Sequence, residues 1–209
     1  MFRSLSRIYR TYCSGRVLDL TPKIADTRDV RYYEMSRATR VEFLVEERVI
    51  VDDRHYKLDE SLSNAEQGER RKAMTLDFMV NNDHNWVGSS VTFGVIERKE
   101  MEAPGFSKHD TVVIRNELMN LEERKAREIL SIAAKYVKSN GYVLLMDFGV
   151  SSSPLLASFA RMLKQVSGSS MHLTHDYRKW ISEENLYLVA EERRCLLGCH
   201  YAIALQLRL

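Results

Sequence analysis

The sequence predicts an α/β fold with a mostly parallel sheet that ends in an antiparallel C-terminal hairpin. Strands and helices alternate along residues 91–185, which is the pattern of a parallel sheet with helical crossovers. The apolar run at 142–148 is nearly continuous, as in strands that are covered on both faces. The last two strands, 186–194 and 200–209, are joined by too few residues for a crossover, so we expect antiparallel neighbours.

In the second half of the chain, the pattern of apolar residues predicts each helix and strand in turn. A helix is expected at 122–138 because apolar residues recur there at helical spacing, and it should end at Asn140-Gly141, since glycine readily takes positive φ. Pro154 begins a further helix. The elements predicted from residue 91 onward are strands at 91–97 and 111–114, helix 122–138, strand 142–148, helices 154–166 and 175–185, and strands 186–194 and 200–209.

The N-terminal half has a divergent pattern. A first strand is predicted at 16–20, and a second at 30–35 that ends near Glu34. Residues 38–90 are interpreted as an irregular or inserted segment, in which 38–49 and 61–80 are predicted to be helical.

The net charge of +2 comes from 31 basic and 29 acidic side chains, which excludes a generally basic nucleic-acid-binding protein. The basic excess lies in residues 1–16, where four arginines occur without an acid. Residues 1–12 are arginine-rich, serine-rich and amphipathic, so we predict a mitochondrial transit peptide cut between Tyr12 and Cys13, a mitochondrial matrix location and a single domain over 13–209. A basic, flexible start is the alternative. No stretch approaches the roughly 20 apolar residues of a membrane span.

Metal and nucleic-acid sites are not predicted. Cys195 and Cys199 lack a second ligand pair and are interpreted as packing residues. His172 and His175 have no third ligand and are predicted to be surface residues. The basic run at 70–72 is short and lies among acids, so the case for RNA binding by charge is weak.

Several segments resemble class I S-adenosylmethionine-dependent methyltransferases. GVIERKEMEAPGFSKHDTVV at 94–113 resembles that family's acidic strand end, loop and next strand, and VKSNGYVLLMDFG at 137–149 is similar to its glycine turn and following strand. Ile114-Arg115-Asn116 is similar to the ubiquinone-biosynthesis C-methyltransferases, and 142–209 resembles the ending of small mitochondrial methyltransferase-like proteins. The resemblance implies a Rossmann-like methyltransferase sheet with S-adenosylmethionine as cofactor.

The resemblance also implies a cofactor site at the ends of the first strands. Asp19 would orient the loop after strand one or merely cap it, and Glu34 would accept hydrogen bonds from the ribose hydroxyls or be a solvated acid. Glu97 would lie near the adenine amino group or form a surface ion pair with its basic neighbours. The full set of candidate cofactor-binding residues is Asp19, Thr21, Glu34, Glu97, Arg98 and Ile114. No catalytic residue is predicted.

One part of the family pattern is missing from the sequence. The family's glycine-rich loop should follow strand one, yet Thr21-Pro22-Lys23 follows 16–20 without a glycine. Two functions therefore stay open: a mitochondrial methyltransferase with an unknown acceptor, or a cofactor-less protein of this fold that serves as a binding or assembly subunit of a mitochondrial complex such as the mitoribosome. A dehydrogenase-like nucleotide binder is disfavoured because its glycine fingerprint is absent as well.

Overall fold

The computed structural model describes residues 2–21, 27–45, 90–149, 158, 175–184, 186–195 and 200–208. The predicted helix at 61–80, most of the predicted helix at 154–166 and His172 lie outside these residues. No helix of the described segments is long and apolar enough to cross a membrane.

The described strands form one seven-stranded sheet in the order β3-β2-β1-β4-β5-β7-β6. Strands β1 to β5 pair in parallel, whereas β7 runs antiparallel to β5 and β6 antiparallel to β7. The predicted α/β class and the antiparallel C-terminal hairpin are therefore confirmed. The strands are β1 (Ser14–Asp19), β2 (Arg37–Val45), β3 (Thr92–Glu97), β4 (His109–Arg115), β5 (Val137–Phe148), β6 (Tyr187–Cys195) and β7 (His200–Leu207).

Helices cover both faces of the sheet. One face packs against α1 and α2 through a cluster that includes Ile8, Tyr33 and Phe43. The other face packs against α4 and α5 through a cluster that includes Leu130 and Trp180. The helices are α1 (Phe2–Tyr12), α2 (Thr27–Glu34), α3 (Arg98–Met101), α4 (Glu123–Tyr136) and α5 (Tyr177–Glu184), with a 3-10 turn at Leu118–Asn120.

Two predictions for the N-terminal half are wrong. Residues 30–35 are predicted to form a strand but belong mainly to α2. The segment 38–49 is predicted to be helical or inserted, but its described residues belong to β2, Arg37–Val45. In α2 the adjacent Tyr32 and Tyr33 both pack on Tyr9 of α1, so tertiary contacts outweigh the β-propensity of the tyrosines. In β2, alternate residues enter opposite faces of the sheet, and pairing with β1 and β3 decides the conformation.

The predicted helix at 122–138 is shorter than expected at its C-terminal end. Helix α4 ends at Tyr136, and the predicted turn at Asn140-Gly141 lies inside β5. The register shifts here, because His109 pairs with Val137 while Thr111 pairs with Tyr142. A Cβ at Gly141 would lie 2.5 Å from the carbonyl oxygen of Asp110, so the close approach of the two strands requires glycine.

Helix α1 belongs to the core of the described structure. Ile8 and Tyr9 are 0% and 1% exposed, and the Cys13 N–H donates to the Tyr9 carbonyl, which joins the helix directly to β1. Arg7 lies on the opposite, solvent-facing side of the helix. The helical, amphipathic character of the N-terminus is thus confirmed, while the transit-peptide function and the cut after Tyr12 stay predictions.

Candidate functional site

The chain reverses its direction of travel across the sheet between β1 and β4. From β1 it proceeds outward to β2 and β3, and then returns to place β4 on the other side of β1. The carboxyl ends of β1 and β4 therefore flank a topological switch point, which is where open α/β sheets bind their ligands. We call the carboxyl ends of β1 to β5 the carboxyl edge, and it is the candidate site.

A buried ion pair bridges the two strands at the switch point. Asp19 ends β1 and is 0% exposed, and Arg115 ends β4 and is 5% exposed. Arg115 Nη2 donates to Asp19 Oδ2 at 2.8 Å, and the Tyr33 hydroxyl donates to the same oxygen at 2.5 Å. Burial raises the pKa of Tyr33 well above its usual value, so this hydroxyl stays a donor. We call Asp19, Arg115 and Tyr33 the Asp19 cluster.

The first residues after β1 are tied to the same cluster. The Thr21 N–H donates to Asp19 Oδ1 at 3.0 Å, and the Thr21 hydroxyl lies 3.5 Å from the Arg115 carbonyl oxygen. The Leu20 N–H donates to the Val113 carbonyl at 2.9 Å. The structure thus brings together two of the predicted site residues, Asp19 and Thr21, and uses the carboxylate of Asp19 to fix the chain as it leaves β1.

The predicted residues at the end of β3 lie on the same edge. Glu97 ends β3 and is the N-cap of α3, where it forms a capping box with Glu100. Its carboxylate also pairs with the exposed Lys99, at 2.6 Å from Oε2 to Nζ. Arg98 follows as the first residue of α3 and is half-buried. Three strand spacings, about 14 Å in total, separate β3 from β4 along the edge.

The two remaining predicted residues lie elsewhere. Glu34 is exposed at the C-terminal end of α2 and not at the end of a strand, so the geometry from which its ribose role was argued is wrong. The strand that should carry such an acid is β2, which ends at Val45, and Glu46 follows it outside the described residues. Ile114 is fully buried in β4 and packs in the hydrophobic cluster beneath α4 and α5.

A second buried aspartate at the carboxyl edge was not predicted. Asp147, near the end of β5, is 0% exposed. Its Oδ2 accepts the N–H groups of Glu117 and Leu118 at 2.9 and 2.7 Å, and its Oδ1 accepts the Phe148 N–H at 2.7 Å. Burial raises the pKa of Asp147 to about 7, although these backbone donors lower it. Its charged side chain inside the otherwise apolar run at 142–148 was the sequence signal that could have revealed it.

A buried glutamate also escaped prediction, because its strand is predicted to be a helix. Glu42 of β2 accepts a 2.7 Å hydrogen bond from His109 and forms ion pairs with Arg16 and Arg40 at 2.8 and 2.9 Å. Burial alone would raise the pKa of Glu42, but His109, Arg40 and Arg16 lower it to about 2. Glu42 pairs in register with Leu18 and not with the end of β1, so this Glu42 cluster lies one step inside the sheet.

The carboxyl edge fits S-adenosylmethionine in part. Glu97 places a largely buried carboxylate, with 12% of its side chain exposed, at the end of β3, and Asn116 presents an exposed amide side chain directly after β4. Asp19 does not fit a direct contact, since it is fully buried and its oxygens already accept hydrogen bonds from Arg115, Tyr33 and Thr21. Among the described residues, no group of three or more histidine, cysteine, aspartate or glutamate side chains could hold a metal ion.

Solved structures of methyltransferases share this fold. An O-methyltransferase family protein from Burkholderia thailandensis is similar over 98% of this chain and 55% of its own, with 15% identity and a TM-score of 0.57. The mitomycin 7-O-methyltransferase MmcR is similar over 99% of this chain and 53% of its own, with 11% identity and a TM-score of 0.61. An O-methyltransferase from neocarzinostatin biosynthesis, solved with S-adenosyl-L-homocysteine and 1,4-dihydroxy-2-naphthoic acid, has 12% identity, a TM-score of 0.57 and coverages of 99% and 53%.

The chain spans about half the length of these structures. No protein-family model matches the sequence, and no curated protein sequence is significantly similar to it. At these identities the likeness shows the fold alone: the protein has a methyltransferase-like α/β fold.

Proposed function

We propose that the protein binds S-adenosylmethionine at the carboxyl edge and transfers its methyl group to an acceptor. The observation that carries the proposal is the strand order, which places the switch point between β1 and β4 as in a class I methyltransferase sheet. The neocarzinostatin O-methyltransferase of the same fold was solved with S-adenosyl-L-homocysteine, the product of methyl donation.

The residues of this chain would divide the work of binding. Glu97 would accept hydrogen bonds from the adenosine part at the end of β3, and the Asp19 cluster would hold the chain leaving β1 in a fixed course without touching the ligand. Arg98, next to Glu97, would add a positive charge at the same strand end. The bound cofactor supplies an activated methyl group, so the protein's main contribution is orientation of the reactants.

Calorimetric titration with S-adenosylmethionine and with S-adenosylhomocysteine tests the proposal. We expect both to bind the full chain, and we expect Glu97→Gln to weaken binding about tenfold or more, because it removes a charged hydrogen-bond acceptor. Glu102→Gln is the matched control, since Glu102 is an exposed acid at the C-terminal end of the same helix α3. Absence of binding at millimolar ligand would refute the proposal.

A second candidate function is a cofactor-less binding or assembly subunit. It is favoured by the sequence after β1, which has no glycine at 16–26, and by the Thr21 N–H, which is already committed to Asp19. This alternative predicts a stable, folded protein that binds neither S-adenosylmethionine nor S-adenosylhomocysteine. A tagged copy expressed in the native cells should sediment with a large complex. A protein that binds S-adenosylhomocysteine and sediments alone would exclude it.

A mitochondrial location belongs to the same proposal. It is supported by the arginine-rich amphipathic helix α1. Incubation with isolated mitochondria should leave the protein protected from added protease, and mass measurement would detect a cut between Tyr12 and Cys13. Since α1 also contributes Ile8 and Tyr9 to the core, a cut product should unfold more easily than the full chain. Protein that stays accessible to protease would contradict the proposal.

A further inference from the structure

The segment that follows β4 begins with a residue in the left-handed backbone conformation. Asn116 has a φ of 48°, and it is the only residue other than glycine with positive φ among the described segments. It follows Arg115 directly at the carboxyl edge and leads into the 3-10 turn at Leu118–Asn120. We call residues 116–120 the β4 loop. Asparagine tolerates positive φ better than other residues with a side chain, and the contacts of the loop hold it in this conformation.

The neighbouring strand β5 supplies most of what fixes it. The Asn116 N–H donates to the Met146 carbonyl at 2.9 Å, and the next two N–H groups of the loop, those of Glu117 and Leu118, both donate to the carboxylate of Asp147. Within the loop, Asn120 Nδ2 donates to the Asn116 carbonyl at 2.9 Å. One buried carboxylate therefore aligns two consecutive loop amides.

No cationic side chain of the described residues pairs with Asp147. The Tyr177 hydroxyl donates to the Phe148 carbonyl at 2.7 Å, and Tyr201 pairs with Asp147 across the sheet. Burial, followed by the charge of Asp147, raises the pKa of Tyr177, so it remains protonated. The elements around Asp147 carry several titratable and charged side chains. They include Glu117 of the β4 loop, the buried His175, Asp176 and Tyr177 at the start of α5, His200 and Tyr201 of β7, and Arg194 of β6, whose guanidinium lies 4.4 Å from the centroid of the Tyr201 ring.

We propose that Asp147 is a positioning residue that holds the β4 loop at the edge of the site, and that the strength of this hold changes with the protonation of its carboxyl group. An ionised carboxylate accepts all three backbone N–H groups. These bonds do not offset the cost of keeping an unpaired charge out of water, so the buried site favours the protonated carboxyl, and ionisation weakens its hold on the loop. The pKa of Asp147 is raised to about 7 because its carboxyl group is buried and has no cationic partner. Its protonation therefore changes near neutral pH.

The part of this inference that concerns ligand binding rests on the proposed function. The loop borders the predicted cofactor site through Asn116, which follows the Arg115 of the Asp19 cluster. A loosened loop would therefore bind the ligand less well. We expect the affinity for S-adenosylhomocysteine to be several-fold higher below the titration of Asp147 than above it, and to lose this dependence in Asp147→Asn.

The test is a magnetic-resonance titration of the isotope-labelled full chain. The amide protons of Glu117, Leu118 and Phe148 should change chemical shift together as the pH rises, with a common midpoint near pH 7. Asp147→Asn should abolish this titration, while the matched control Asp176→Asn, an acid at the start of α5, should keep it. Amide protons that do not titrate together near neutral pH in the unmodified protein would overturn the proposal, whether or not the variant folds.

The two proposals fail separately. Absence of S-adenosylhomocysteine binding on both sides of the midpoint would refute the proposed function, whereas the amide titration needs no ligand and decides the role of Asp147 by itself.

Discussion

Asp19 and Asp147 lie on the same edge of the sheet, on either side of β4, and both are completely buried, yet they are balanced in different ways. Asp19 is paired with the guanidinium of Arg115, whereas Asp147 is surrounded by backbone N–H groups and tyrosines. A cation compensates a full charge, while backbone dipoles compensate part of one. Asp19 thus links β1 and β4 through an ion pair, whereas the link that Asp147 makes between β5 and the β4 loop depends on whether its carboxyl group is protonated.

The largest effect is expected when the link of Asp19 is broken. Arg115→Ala leaves a buried carboxylate without its cation, and we expect a loss of about 3–5 kcal/mol in the free energy of unfolding, measured with urea. The control is Arg127→Ala, whose half-exposed ion pairs with Glu123 and Glu183 should cost about 1 kcal/mol or less. A loss no greater for Arg115→Ala than for Arg127→Ala would contradict the structural role of the pair.

Glu42 extends the comparison to an acid with three basic partners. Its folded pKa of about 2 lies below its ordinary value of 4.5, so its stabilising contribution is complete above pH 4.5 and is lost as the pH falls towards 2. The contribution is on the order of 3 kcal/mol. Glu42→Gln should flatten the acid limb of stability against pH. Equal acid limbs for the variant and the unmodified protein would contradict the prediction.

The contribution of Asp147 to stability should depend on pH in the opposite direction. Its folded pKa of about 7 lies above its ordinary value of 3.8, so the stability linked to its protonation is complete below pH 3.8 and is lost as the pH rises through 7. In Asp147→Asn the amide oxygen can still accept the two loop N–H groups, but the amide NH2 faces the Phe148 N–H, donor against donor. We therefore expect the variant to lose about 1–3 kcal/mol of unfolding free energy at acidic pH and less at alkaline pH. Urea unfolding at both pH values measures this, and a cost that is equal at both would argue against the assignment.

The sequence predicted the second half of the fold well, because the apolar run at 142–148 and the helical face at 122–138 have clear periods. It failed at α2 and β2, because Tyr32 and Tyr33 have high β-propensity and the residues of β2 also fit helical spacing. Packing against α1 and pairing with β1 decide these elements, and neither contact is visible in a single sequence.

The site residues could be predicted only where the end of their strand could be predicted. Asp19 and Glu97 could be placed at strand ends, and the structure has both there. The partners Tyr33 and Arg115 could not be found, since 14 and 96 residues separate them from Asp19 along the chain. Glu34 was misplaced for the same reason that α2 was misassigned.

Hydrogen–deuterium exchange with and without saturating S-adenosylhomocysteine tests the central claim, ligand binding at the carboxyl edge, most directly. We predict slower exchange in the presence of ligand at the ends of β1 and β3 and in the β4 loop, including Thr21, Glu97 and Asn116. Residues of the closing hairpin, β6 and β7, should exchange equally with and without ligand. Unchanged exchange at the carboxyl edge, or slowing confined to another part of the chain, would contradict the claim.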